Sequence, residues 1–126
     1  MRMKITTTNA PAALGPYSQA ILAGDHIYIS GQLGIDPATG EFAGDTAALQ
    51  ARQAFANIDA ILNQAGCSMN NIVKTTCFLS NMDDFAAVNE VYEEFLEEPY
   101  PARSAFEVAK LPKGGLVEIE TIAIIK

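Results

Sequence analysis

Before the terminal lysine the chain reads Val117-Glu118-Ile119-Glu120-Thr121-Ile122-Ala123-Ile124-Ile125. Its β-branched residues and two-residue alternation predict a strand. Successive side chains of a strand point to opposite faces. Val117, Ile119, Ala123 and Ile125 therefore share one face, and Glu118, Glu120, Ile122 and Ile124 share the other. Both faces are partly apolar, so a sheet holding this strand needs cover on both sides. The rest of the chain supplies two helices, enough for one face. The other face is expected to meet a second copy of the chain. The pattern predicts a homo-oligomer and leaves the number of subunits open.

The remaining elements follow from local pattern. Gly and Pro punctuate Asn9 to Pro16, which reads as an irregular loop. Ser18 to Leu22, Ala23-Gly24-Asp25 and His26 to Ser30 read as strand, turn and strand, a hairpin. Asp36-Pro37-Ala38-Thr39-Gly40 is a second turn. Asp45 to Ala65 is predicted helical, with Phe55, Ile58, Leu62 and Ala65 on one face and Gly66 placed to end it. Ile72 to Leu79 is a predicted strand. A second helix begins near Asp83, where Ser80 and Asp83 have the spacing of a capping box. Phe85, Val88, Tyr92 and Phe95 give it an apolar face, and Pro99 is expected to end it. Arg103 to Val108 is a short predicted strand, expected beside the strand of Glu118. Pro112-Lys113-Gly114-Gly115 is a turn. An extra strand at Lys4–Thr7 is also compatible with the pattern.

Composition excludes several functions. The 126 residues suit one domain with a core that needs no metal or disulfide. The net charge is −7, from 8 Lys+Arg against 15 Asp+Glu. Nucleic-acid binding relies on basic residues that neutralise phosphates, and here they are few and scattered. An anionic membrane is disfavoured for the same reason. No apolar run approaches the ~20 residues needed to span a bilayer. Cys67 and Cys77 have no metal or redox spacing, and the N-terminus shows no secretory apolar region. Reduced thiols in the cytoplasm are expected.

Most catalytic sets are missing. His26 is the only histidine; it sits in the hairpin with no nucleophile motif nearby and reads as a structural or surface residue. There is no phosphate-binding glycine motif, since Gly31-Gln32-Leu33-Gly34 is only a loop. No Cys and His cluster suits zinc. Chemistry must then rest on Arg, carboxylates, Tyr, amides and backbone groups. Arg103 opens a strand after Tyr100-Pro101-Ala102. It can grip a carboxylate through two parallel hydrogen bonds, or pair with a neighbouring acid, which by itself is the plainer role. Glu118 and Glu120 sit on the partly apolar face. Each can be a general base, or a solvated strand end. Tyr17, after Gly15-Pro16, can be an aromatic wall. Asn89 lies at the margin of the second helix's apolar face, an unusual place for an amide. Tyr17, Asn89 and Ser30 are open to structural roles as well.

Taken in order, these residues resemble the RidA (YjgF) family over nearly the whole chain. The similar stretches include Ala13-Leu14-Gly15-Pro16-Tyr17-Ser18-Gln19-Ala20, Ser30-Gly31-Gln32, Asp36 to Gly40 and Asn57. They continue through Ile72-Val73-Lys74-Thr75-Thr76, Phe85-Ala86-Ala87-Val88-Asn89, Pro101-Ala102-Arg103-Ser104 and Val117-Glu118-Ile119-Glu120. The resemblance implies one RidA-like domain over residues 1–126 with the chorismate-mutase-like α+β fold. That fold has one mostly antiparallel sheet with two helices on one face, and it assembles as a homotrimer with sheets inside. It implies active sites in clefts between adjacent subunits, with no cofactor. The implied activity is hydrolysis of 2-iminopropanoate and 2-iminobutanoate to the 2-keto acid and ammonia. Those imines arise from 2-aminoacrylate and 2-aminocrotonate, enamines released by pyridoxal-phosphate-dependent dehydratases, so the role is metabolite damage control.

Carried onto this chain, the resemblance makes Arg103 the carboxylate binder and Glu118 the residue that activates water. Tyr17 would line the pocket, Asn89 would support it, and Ser30 would add a polar wall. The Gly31 backbone would approach the substrate closely, as a residue without a side chain allows. Many relatives have Cys where this chain has Ala105. A backbone N–H role survives that change, and a thiol role does not. Two other functions compete: a keto-acid-binding regulatory module without turnover, and an endoribonuclease or translation inhibitor. Arg103 favours the enzyme over the first, and the acidic charge disfavours the second.

Overall fold

The computed structural model describes residues 1–125. In chain order the elements are β1 (Arg2–Ile5), β2 (Ala20–Ala23), β3 (His26–Leu33), α1 (Ala47–Gln64), β4 (Ile72–Leu79), α2 (Phe85–Phe95), β5 (Ala102–Glu107) and β6 (Val117–Ile124). Among the described residues the strands form one six-stranded sheet, ordered β1-β2-β3-β6-β4-β5. Its pairs are antiparallel except β4 with β5, which is parallel. A parallel pair needs a crossover, and α2 provides it. The expected α+β class and mostly antiparallel sheet are present.

Both helices lie on one face. Val117, Ile119, Thr121 and Ala123 of β6 are buried beneath them, together with Ile27, Ile29, Thr75, Cys77 and Leu79. From α1, Phe55, Ile58, Ile61 and Leu62 fill the same core. Burial of such a side chain stabilises by roughly 1.5–3 kcal/mol. The opposite face carries Tyr28, Phe78, Phe106 and Ile122 beside Glu118 and Glu120. Tyr28 is 48% exposed and Phe106 45%, while the Phe78 and Phe106 rings meet edge to face, 5.4 Å apart. This uncovered aromatic surface is the one anticipated from the alternation in β6.

Local chemistry sets the element ends. The Thr46 side chain accepts a hydrogen bond from Leu49 N and caps α1. Gly66, at φ +75°, ends it: its N–H donates to Asn63 O, and Cys67 N donates to Leu62 O. The capping box expected at Ser80 and Asp83 does not form. Asn81 accepts from Asp83 N at 2.8 Å and opens a short 3₁₀ turn, Met82–Asp84, that feeds α2. The helix stops at Phe95, before Pro99, because Leu96 is already extended. A second expectation also fails. The strand of Arg103 is not beside that of Glu118, because β4 lies between β5 and β6. No helix among the described residues is long and apolar enough to cross a membrane.

Candidate active site

The loop before β2 is built around one amide. Gln19 is buried; its Nε2 donates to Thr7 O and Pro11 O, and its Oε1 accepts from Thr7 N at 2.7 Å. These bonds fasten the segment that carries Tyr17, and leaving them unmade would cost about 1–3 kcal/mol per buried group. Ser30 Oγ donates to Ser18 O at 2.6 Å, which ties the same loop to β3.

At Ser30 and Gly31 the β3–β6 register shifts between Ile29 and Gln32, a bulge of the kind that re-aims neighbouring groups. The bulge brings the Gly31 backbone against the Glu118 carboxyl. A Cβ on Gly31 would lie 2.9 Å from Glu118 Oε2, so only glycine leaves that carboxyl where it is. Tyr17, Gly31 and Glu118 line one cavity with Leu14, Ile35 and Lys113. Glu118 is half-buried; burial pushes its carboxyl above the usual carboxylate pKa, and Glu120 on the same face adds to the shift. Ser30 falls outside this cavity and lines the neighbouring groove with Glu120 and Tyr28.

Arg103 and Asn89 are elsewhere. Arg103 pairs in register with Thr75, which faces the helices, so its side chain lies on the helix side of the sheet edge. Its Nη1 donates to Asn89 Oδ1 at 2.6 Å. Among the described residues Arg52 and Glu94 form an ion pair, His26 and Asp25 share a hydrogen bond, and Arg103 has no ion pair. The plainer reading of Arg103, a partner for a neighbouring acid, finds no such acid within ion-pair distance among the described residues. Arg103, Asn89, Tyr92, Glu93, Tyr100 and Pro101 line a second cavity, with Glu93 outside ion-pair distance of Arg103. Ala105 stands two residues along β5, in register with Cys77, a buried thiol that burial pushes up to about 11. His26 is a surface residue bonded to Asp25, as expected.

The structure thus gathers the site residues into two groups. Tyr17, Gly31 and Glu118 form one, on the uncovered face; Arg103, Asn89 and, behind them, Ala105 form the other, on the helix side. Sequence reasoning missed Lys113, which lines the Glu118 cavity with a left-handed φ of 57°, a conformation rare outside glycine. It also assigned Phe85 and Tyr92 wholly to the core. The signal was their spacing from Asn89, four and three residues, which puts all three on one helix face.

A sequence profile described as endoribonuclease L-PSP matches residues 7–125. The chain is 52% identical over 124 residues to the 2-iminobutanoate/2-iminopropanoate deaminase of Capra hircus, covering 98% of this chain and 90% of the relative. The crystal structure of RidA from an Antarctic Psychrobacter is 53% identical with a TM-score of 0.94, covering 98% of this chain and 99% of that one. The structure of Escherichia coli TdcF with bound serine is 42% identical with a TM-score of 0.92, covering 98% and 99%. Matched along nearly its whole length in both sequence and fold, the chain belongs to the endoribonuclease L-PSP family, the RidA (YjgF) family that its motifs resemble.

Proposed function

We propose that this chain hydrolyses short 2-imino acids, such as 2-iminobutanoate and 2-iminopropanoate, to the 2-keto acid and ammonia, at a site that two copies build together. Relatives about half identical to it bear the name of that activity. One observation carries the reading of the site. Among the described residues Arg103 is a cation with no acid within ion-pair distance, Glu118 is a carboxylate with a raised pKa, and they stand on opposite faces of one sheet. Each is half of what an imino acid needs.

The imine carbon is already electrophilic, so little covalent help is required. Arg103 of one copy takes the substrate carboxylate through its planar fork. Water held by Glu118 of another copy adds to the carbon. The C–O bond forms, the C=N π pair moves to nitrogen, and Glu118 accepts the water's proton. In the return step that proton passes to nitrogen. The C–N bond breaks with its electron pair on nitrogen, Glu118 takes the hydroxyl proton as the carbonyl forms, and it passes that proton to the departing ammonia. Iminium and water become keto acid and ammonium. A carboxyl whose pKa is raised toward the working pH gives and takes the proton more evenly. Orientation supplies the rest, roughly 7–11 kcal/mol in the best cases.

In this reading the aromatic face around Phe78 and Phe106 is buried in a homotrimer. An obligate interface of that kind covers upwards of ~2,000 Å². Sedimentation should give a mass near three times the 13.5 kDa chain, and a monomer at micromolar concentration would remove both the trimer and the shared site. The serine bound in the Escherichia coli relative supports a small amino-acid-like ligand. The family description names an endoribonuclease, but a net charge of −7 runs against phosphate binding.

The test couples a dehydratase that releases 2-aminoacrylate to detection of the keto acid. Faster keto-acid release with this protein present is the expected result. No acceleration, together with measurable keto-acid binding, would replace the enzyme with a binding module.

A further inference from the structure

Arg103 is held by groups that carry no charge. Its Cζ lies over the Phe85 ring at 5.1 Å from the centroid and over the Tyr92 ring at 4.8 Å. Both distances fall inside the ~6 Å within which a cation is attracted by a ring face. Asn89, on the same face of α2, accepts from Nη1. The Tyr92 ring is itself fixed. Its hydroxyl and Thr75 Oγ1 are 3.1 Å apart, and Phe55 meets it edge to face at 4.9 Å. Phe85 is half-buried at the start of α2.

A guanidinium is commonly fixed by a carboxylate, but that acid would occupy the fork meant for the substrate. Rings and an amide fix it without neutralising it. Asn89 uses one of the five N–H donors, and the others are left for a ligand. We propose that Phe85 and Tyr92 are positioning residues, a neutral aromatic cradle that orients Arg103 from behind and leaves its fork free of an ion pair until a carboxylate arrives. This rests on the reading above that Arg103 receives the substrate carboxylate. The cradle acts on binding and orientation of the carboxylate, while the proton transfer belongs to Glu118 in the other half-site. Damage to the cradle therefore appears in affinity before it appears in turnover.

The experiment uses the full chain, with 2-oxobutanoate as the stable probe for binding and the dehydratase-coupled assay for turnover. Phe85→Leu keeps an apolar side chain of similar reach and removes the ring face. It should weaken 2-oxobutanoate binding and raise KM about five- to tenfold, the scale of one lost ring contact to a cation, with kcat within about twofold. Phe85→Tyr restores the ring and should recover most of the affinity. The Arg103 Nε–H resonance should lose its ring-current shift in Phe85→Leu and regain it in Phe85→Tyr. In an Arg103→Lys background, Phe85→Leu should add little, because coupled residues are not additive. An undiminished effect in that background would overturn the cradle, as would equal affinity of Phe85→Leu and wild type. Asn89→Asp gives a second route should Phe85→Leu not fold. It sets a carboxylate on the guanidinium and should weaken 2-oxobutanoate binding more than tenfold near neutral pH, with recovery on acidification; unchanged binding would equally overturn the proposal. If Arg103→Lys itself leaves binding and hydrolysis unchanged, the functional reading of Arg103 fails instead. If only the Arg103 variant has an effect, the cradle alone fails.

Discussion

Arg103 and Glu118 stand on opposite faces of one sheet with strand β4 between them. Arg103 is in register with Thr75 and Glu118 with Phe78. Two strand spacings across and three residues along put their backbones about 14 Å apart, with side chains directed away from each other. A four-carbon imino acid cannot touch both within one chain. The same sheet in a second copy can supply the missing half.

Arg103→Lys keeps the charge but loses the planar fork. It should weaken binding of pyruvate or 2-oxobutanoate strongly, to a level that titration at high ligand concentration still reads, and lower kcat/KM strongly. Glu118→Gln keeps the shape and removes the base. It should bind the keto acid nearly as wild type does and lower kcat by roughly 10²–10⁴-fold, the usual scale of general base catalysis. Calorimetric titration beside the coupled assay separates the two. Wild-type turnover in Glu118→Gln would move the base to Glu120 or to a water held by backbone groups.

Gly31→Ala should impair catalysis without unfolding the chain. Its Cβ would meet the end of a flexible side chain, the Glu118 carboxyl, at 2.9 Å, and that carboxyl can swing away. A loss of tenfold or more in kcat, roughly the effect of misplacing a reacting group by an ångström, should accompany a thermal midpoint near that of wild type. Unchanged kcat would mean that the carboxyl position beside Gly31 is irrelevant to the chemistry.

Glu120→Gln should move the acid limb of the pH–rate profile to lower pH. Burial and the Glu120 charge both raise the Glu118 pKa. With Glu118 as the proposed base, activity is lost as pH falls through that raised value. Removing the Glu120 charge lowers the Glu118 pKa and keeps the base ionised in more acid solution. A limb that stays in place, or moves upward, would show that Glu120 does not act on the titrating group.

Much of this was legible in the sequence. Alternation in β6 gave the two faces of the sheet, and the helical spacing of Phe55, Ile58 and Leu62 gave α1, because burial imposes those periods directly. The strand order was not legible. Nothing local to Arg103 records that β5 pairs with β4 in parallel, and so the two catalytic candidates were expected on neighbouring strands. Capping at Asn81 in place of Ser80 turned on which of two adjacent polar residues meets a free N–H, which spacing alone does not decide. The grouping of Tyr17 with Glu118 depends on the Gln19 clamp and the bulge at Gly31, contacts between segments far apart in the chain. Phe85 and Tyr92 were legible as an apolar stripe, while their contact with Arg103 required the crossover geometry.

Thr121→Val should stabilise the fold. Among the described residues Thr121 Oγ1, buried under the helices, has no hydrogen-bond partner. Replacing the unpaired hydroxyl by a methyl of similar shape should gain roughly 1 kcal/mol, which raises the midpoint by about 3–6 °C for a domain of this size. A lower midpoint would mean that the hydroxyl has a partner after all.

The proposed sharing of the site between two copies is tested most directly by mixing two variants, each expected to be inactive. Arg103→Lys chains keep Glu118, and Glu118→Gln chains keep Arg103. Co-expressed in equal amounts in a ring whose sites each draw on two neighbouring chains, they should form intact sites at about one quarter of positions. Keto-acid release should then recover to about that fraction of the wild-type rate. Activity no greater than that of the two parents would place both residues in the service of a single chain, and would contradict the account.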